Sequence, residues 1–148
     1  MTDVHRSAEA VPDVVGRLQT VFQELRGDSV ALLDDVYAAD VVFEDPLHRV
    51  AGLDALKAYF RRLYAEVEAI RFSFESVVAA PGEAMLTWTM YMKHGRLRSG
   101  EELALPGATH IRFAERVHYH RDYFDAGALL YERLPVLGTV IRAIRRRV

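Results

Sequence analysis

Cysteine is absent from the 148 residues. That excludes disulfides, thiolate nucleophiles and Cys-ligated zinc, and constrains the cellular compartment only weakly. No apolar run is long enough to span a bilayer. The opening stretch, MTDVHRSAEA, is polar and has no apolar centre of the kind a signal peptide carries. A soluble, cytoplasmic protein is therefore the default expectation. Neither sign of charge is in excess: 19 Lys and Arg face 21 Asp and Glu, a formal net charge of −2. The whole molecule thus has no electrostatic reason to seek nucleic acid. The chain shows no internal repeat, low-complexity tract or linker.

What is present reads as one ordinary globular domain. Half of the residues are apolar (51%) and 27% are charged, enough for a real core at this length. Residues 1–10 are expected to be a disordered lead and 11–148 a single domain. Val14, Val15, Leu18, Val21, Phe22 and Leu25 fall at helical spacing, with Pro12 suited to a first turn. RGDS breaks that helix. Asp28 or Ser29 is placed to cap a second one, VALLDDVY. VVFED reads as a short strand with Val41, Phe43 and Asp45 on one face, ended by Pro46. PLHRVAG reads as a loop. LDALKAYFRRLYAEV reads as a helix with Leu53, Leu56, Phe60, Leu63 and Val67 on one side.

The apolar period then changes from about 3.6 to 2. IRFSFESVVAA, AMLTWTMYMK, LALPGATHIRFA and RVHYHRDYFD follow as strands, with turns at PGE and HGRLRSGEE. Pro106-Gly107 suggests a bulge or bend. Helices followed by hairpin-connected strands give an α+β order. A long curved antiparallel sheet with the helices on its concave side would leave a conical cavity.

The last strand carries the most chemistry. Strand residues alternate faces, which puts His118, His120, Asp122 and Phe124 on one side and Tyr119, Arg121, Tyr123 and Asp125 on the other. His118, His120 and Asp122 spread over roughly 13 Å at about 3.3 Å per residue, too far to meet one ion without help from another strand. No metal site is expected.

The stretch YAADVVFEDPLHRVAGLDALKAYFRRL, the Gly-capped helix within it and the terminal HRDYFD resemble the nuclear transport factor 2-like superfamily, in its SnoaL-like and ketosteroid-isomerase-like branches. The resemblance runs from about Val11 to Asp125. It implies a cone-shaped, curved antiparallel sheet, a cystatin-like α+β barrel with the N-terminal helices enclosing a cavity and a further helix at the C-terminus. It does not imply one reaction, because this fold hosts isomerases, cyclases, epoxide hydrolases, dehydratases and non-catalytic domains. In ketosteroid isomerases the Asp of a similar EDP is the general base, here Asp45. Their oxyanion-hole positions fall at Val21 or Phe22 and at Thr109. Limonene-type epoxide hydrolases end in a similar RDYFD whose first Asp, here Asp122, is catalytic. Their other catalytic Asp and Arg would fall near Trp88 to Tyr91, where this chain has neither. SnoaL-like cyclases work with one principal acid/base carboxylate.

The resemblance implies that His120, Asp122 and Phe124 line the cone and that Asp45 points in from the first strand. Asp122, Asp45 and His120 are the catalytic candidates, because carboxylates and an imidazole in an apolar cavity have shifted pKa values and so suit proton transfer. The competing reading is that they simply hydrogen-bond one another inside a sealed core. Phe22, Phe43, Phe60, Trp88, Met90 and Phe124, with Thr109 and Ile111, are the expected ligand pocket, suited to an apolar small molecule. No cofactor is expected. A cofactor-free isomerase, cyclase or hydrolase and a non-catalytic binding or membrane-associated protein both remain open.

Proteins of this fold imply a homodimer, paired through the convex sheet face that bears Tyr119, Arg121, Tyr123, Thr87, Thr89 and Tyr91. The segment 129–148 reads as an amphipathic helix ending in arginines. It is expected to pack on the barrel, with contact at a membrane surface as the alternative.

Overall fold

The computed structural model describes residues 11–93, 101–131 and 146. The expectations for the lead 1–10, for the turn at 94–100 and for nearly all of the segment 129–148 lie outside the described residues.

Helix α1 spans Asp13–Glu24 and buries the expected stripe of Val14, Val15, Leu18, Val21 and Phe22. Pro12 precedes it as the N-cap, where a missing N–H costs nothing, and Asp13 places a negative charge in the first turn. The second expected helix is a correction. It is a six-residue 3-10 helix, Val30–Asp35, and Tyr37 already belongs to the next strand. Ser29 does not cap it with its side chain; Ser29 Oγ instead accepts the Arg26 N–H at 2.8 Å. Short, tight helices of this type rarely run further.

Strand β1 is Tyr37–Glu44, and the stretch read as a loop contains a short strand, β2, Arg49–Ala51. The two form a hairpin closed by the Asp45 N–H on the His48 carbonyl, 3.0 Å. Gly52 follows with φ of 93°, a conformation that costs glycine little. Its N–H returns to the Val41 carbonyl at 2.7 Å and so aims helix α2, Leu53–Glu66, across the sheet. Leu56, Phe60 and Tyr64 are its buried face. Fully burying one such side chain stabilises by about 1.5–3 kcal/mol.

Strands β3 (Ala69–Ala80), β4 (Glu83–Lys93), β5 (Leu103–Phe113) and β6 (Val117–Phe124) follow, then a short helix α3, Ala126–Tyr131. The sheet order is β2-β1-β6-β5-β4-β3. The sheet is mixed, which corrects the expectation of an antiparallel one: β6 pairs parallel to β1, while the other neighbours are antiparallel. It is also open, with β2 and β3 at its edges. The fold is the α+β cone, with α1 and α2 on the inner face of the sheet.

Two further details differ from the expectation. The ladder runs without a bulge through Pro106 and Gly107, which pair with Thr89 and Trp88. Gly107 is needed for another reason: a Cβ there would fall on the Trp88 ring. The irregularity in β6 lies at His118. Arg112 pairs with Tyr119 but Phe113 with Val117, leaving His118 as an extra residue. Val117 and His120 are buried while His118 is exposed, so His118 does not share the face of His120 and Asp122.

Candidate functional site

A cavity of about 320 Å³ lies between the inner face of the sheet and α1 and α2. Phe22, Phe43, Phe60, Trp88, Met90 and Phe124 line it, together with Asp45 and Asp122. Thr109 and Ile111, expected among them, stand behind this wall. Ile111 is fully buried and pairs with His120, deeper in the core, and Thr109 is buried beside Asp122. The rings pack edge to face: Phe22 meets Phe60 at 5.6 Å and Phe72 at 5.7 Å, and Phe72 meets Trp88 at 5.4 Å. Such contacts hold the wall rigid without filling the space. A wider depression of about 1390 Å³ beside the start of α1 is open surface that includes neither of the two aspartates.

Asp122 sits on β6, with its side chain 18% exposed, and reaches the cavity wall. A chain of hydrogen bonds fixes it from behind. The Trp88 indole N–H donates to Thr109 Oγ1 at 2.8 Å, and the Thr109 hydroxyl donates to Asp122 Oδ1 at 2.5 Å. His120, 2% exposed, brings Nε2 to the same Oδ1 at 2.7 Å. The Tyr37 hydroxyl meets His120 Nδ1 at 2.8 Å. Burial, reinforced by the Asp122 charge, holds the Tyr37 phenol well above its ordinary pKa, so Tyr37 keeps its proton and is able to donate in this bond. With Tyr37 donating to Nδ1, the Nε2–H of His120 is the donor to Asp122. Both contacts fall on Oδ1. Among the described residues Oδ2 receives no hydrogen bond.

Asp45 follows β1 at the other side of the cavity, and its side chain is 6% exposed. Its Oδ1 accepts the backbone N–H groups of Leu47 and His48, both at 2.7 Å, the pattern of an Asx turn. The His48 ring adds Nδ1 at 3.2 Å, and the Tyr59 hydroxyl donates to Oδ2 at 2.6 Å. Burial first, then the bond to Asp45, raises the Tyr59 pKa, so its phenol also stays a donor. Burial raises Tyr64 as well, with Arg26 opposing it.

The structure thus brings Asp122, Asp45 and six of the eight expected pocket residues to one cavity, and puts His120 behind Asp122. Sequence reasoning missed Tyr37, Tyr59 and Tyr64. Tyr37 stood in the quoted YAAD stretch with no role. Tyr59 precedes Phe60 on α2 and reads as an ordinary helix residue. No group of His, Asp and Glu able to hold a metal occurs among the described residues. No helix among them is long and apolar enough to cross a membrane.

Comparison with known proteins places this geometry. The family model for a SnoaL-like domain matches residues 18–117. The chain belongs to the SnoaL-like domain family. A search of curated proteins returns no match. Among solved structures the SnoaL-like chain is similar to a protein of ketosteroid isomerase-like fold from Catenulispora acidiphila in complex with trimethylamine. The identity is 17% and the TM-score 0.72, covering 84% of this chain and 94% of that one. A candidate SnoaL-like polyketide cyclase from Jannaschia is 14% identical with a TM-score of 0.72, over 84% and 95% of the two chains. An epoxide hydrolase of the LEH-like kind from M. tuberculosis is 17% identical with a TM-score of 0.66, over 88% and 94%. At these identities the likeness is one of fold.

Proposed function

We propose that this SnoaL-like chain is a small-molecule enzyme of the proton-transfer type, in which Asp122 takes and returns the proton. The observation that carries the reading is the one-sided clamp on Asp122. Oδ1 is held by Thr109 and His120, while Oδ2 has no partner among the described residues. A base needs an oriented lone pair facing the substrate and a carboxylate that does not rotate away. The clamp supplies orientation, and the aromatic wall supplies a dry, low-dielectric space in which a proton transfer gains driving force.

In this reading an apolar substrate packs on Trp88, Phe124 and Phe72. Asp122 Oδ2 removes a proton from carbon next to an electron-withdrawing group and returns it at the same or another atom. The step calls on no cofactor. Asp45 holds the β1–β2 turn and Tyr59 rather than the substrate. The cyclase and the epoxide hydrolase among the fold neighbours support a small-molecule substrate. The engagement of Asp45 leaves Asp122 as the carboxylate with a free oxygen beside the aromatic wall, which a non-catalytic binder would use equally well.

The experiment is a panel of small apolar ketones, enones, epoxides and iminium compounds incubated with the protein in D2O. Deuterium uptake or product formation by the native protein, reduced about 10²-fold or more in Asp122→Asn, is the expected outcome. Members that bind but exchange no faster than in buffer would leave the binder reading in its place.

A further inference from the structure

The cavity is rich in acceptors and poor in donors, and this asymmetry bears on the charge of its ligand. Consider the side-chain donors on its wall. The Trp88 N–H is committed to Thr109. The Tyr59 hydroxyl is committed to Asp45. His48, its side chain 52% exposed at the mouth, turns Nδ1 to Asp45. Behind the wall, the Thr109 hydroxyl is spent on Asp122. Among the described residues, the Tyr64 hydroxyl and His48 Nε2, on its exposed ring at the mouth, are left without a hydrogen-bond partner. Among the described residues no Lys or Arg lines the space, whereas Asp45, Glu66 and Asp122 do. Asp122 thus lines an aromatic cavity with one oxygen free and, among the described residues, no Lys or Arg opposite it.

An anionic or enolate-forming ligand needs donors aimed at its oxygen, and this wall has almost none to spare. A cationic ligand needs the opposite: ring faces and an unpaired carboxylate. Phe22, Phe43, Phe72, Trp88 and Phe124 supply the faces, and aromatic faces attract ammonium groups most strongly where water is excluded. We propose that the ligand of this cavity carries a positive charge at nitrogen, a tertiary or quaternary ammonium or an iminium, seated among these rings beside Asp122.

The inference rests on the proton-transfer reading and names its substrate class. With an iminium, Asp122 Oδ2 takes the proton from the carbon next to C=N. The C–H electron pair becomes the C=C bond, and the C=N pair returns to nitrogen. The carboxylate and cation become a neutral acid and a neutral enamine, so charge is annihilated inside the apolar space and no oxyanion donor is required.

The test compares two molecules of one shape, benzyltrimethylammonium and its uncharged carbon isostere neopentylbenzene. The readout is the fluorescence of Trp88, the single tryptophan of the chain, which lines the cavity. The expected result is binding of the cation on the order of 10-fold tighter than the isostere, with the preference largely lost in Asp122→Asn. Equal or tighter binding of the isostere to the native protein overturns the proposal without needing any variant. So does a cation preference that Asp122→Asn leaves intact in a variant whose thermal unfolding is unchanged. Turnover is a separate readout. A cation preference without deuterium exchange keeps this inference and removes the catalytic reading; exchange with a neutral preference does the reverse.

Discussion

Asp45 and Asp122 face one cavity, and the protein holds them in opposite ways. Asp45 is wrapped by its own turn: two backbone amides, the His48 ring and the Tyr59 hydroxyl fill its two oxygens. Asp122 lines the cavity but is gripped on one oxygen only, by residues of the sheet interior, and its other oxygen receives no hydrogen bond among the described residues. A carboxylate that satisfies backbone donors is part of the fold, because removing it takes away the acceptor that shapes the turn. A carboxylate held on one oxygen is oriented and still able to accept a proton. Position in a cavity does not separate the two roles; the count of donors on each oxygen does.

The largest effect expected from this contrast is on stability. Asp45→Ala removes the acceptor for two amides and for the half-buried Tyr59 hydroxyl, and is expected to lower unfolding stability by about 3 kcal/mol. Asp122→Asn keeps an oxygen for Thr109 and His120 and is expected to change it by about 1 kcal/mol or less. Urea unfolding of both variants measures this, and equal losses would break the comparison.

The next effect is on alkaline stability. The folded-state pKa of Tyr37 lies above the ordinary value of 10.0, chiefly through burial. The unfolded chain therefore releases this proton first, so the stability it contributes is complete below about pH 10 and falls as pH rises further. The slope is at most about 1.4 kcal/mol per pH unit for this group, and Tyr59 is shifted the same way. Tyrosinate absorbance is expected to appear together with unfolding for these two residues; tyrosinate from both in the folded protein would contradict their assignment as fixed donors.

A smaller effect belongs to the clamp alone. Tyr37→Phe leaves His120 Nδ1 without its donor, at a cost of about 1 kcal/mol. Nitrogen-15 NMR is expected to show His120 as the Nε2–H tautomer in the native protein and a tautomer mixture in the variant. An Nδ1–H tautomer in the native protein would remove the donor to Asp122. The smallest effect serves as a control on the other side of the contrast. The exposed Arg49–Glu44 pair, 2.9 Å apart, lies in the same hairpin as Asp45. Arg49→Ala is expected to cost about 0.5 kcal/mol or less, which would show that the Asx turn and not the ion pair holds the hairpin.

The α+β order and the shared face of Asp122 and Phe124 were legible because they rest on local pattern, while the cone and the choice of its inner face came from the family resemblance. Alternation in HRDYF puts Asp122 and Phe124 on one face, and the helical stripes of α1 and α2 give the opposing wall. What escaped depends on partners distant in the chain. Nothing local to β6 says that it pairs parallel to β1. The extra residue at His118 bears no mark of its own. Gly107 reads as a bend until Trp88 from the next strand is seen to need its missing side chain. Asp45 and Asp122 looked alike in sequence, since the Asx turn was hidden in a stretch read as a plain loop. Tyr59, which completes the shell of Asp45, lies 14 residues further on, across the hairpin.

The claim that Asp122, and not Asp45, moves the proton is tested most directly by one paired measurement. Deuterium exchange from D2O into a turned-over substrate is followed with the native protein, Asp45→Asn and Asp122→Asn, each rate referred to the folded fraction. The account predicts that Asp122→Asn loses about 10²-fold or more, while Asp45→Asn stays within about 10-fold of the native rate. Loss of exchange in Asp45→Asn with a near-native rate in Asp122→Asn would contradict it.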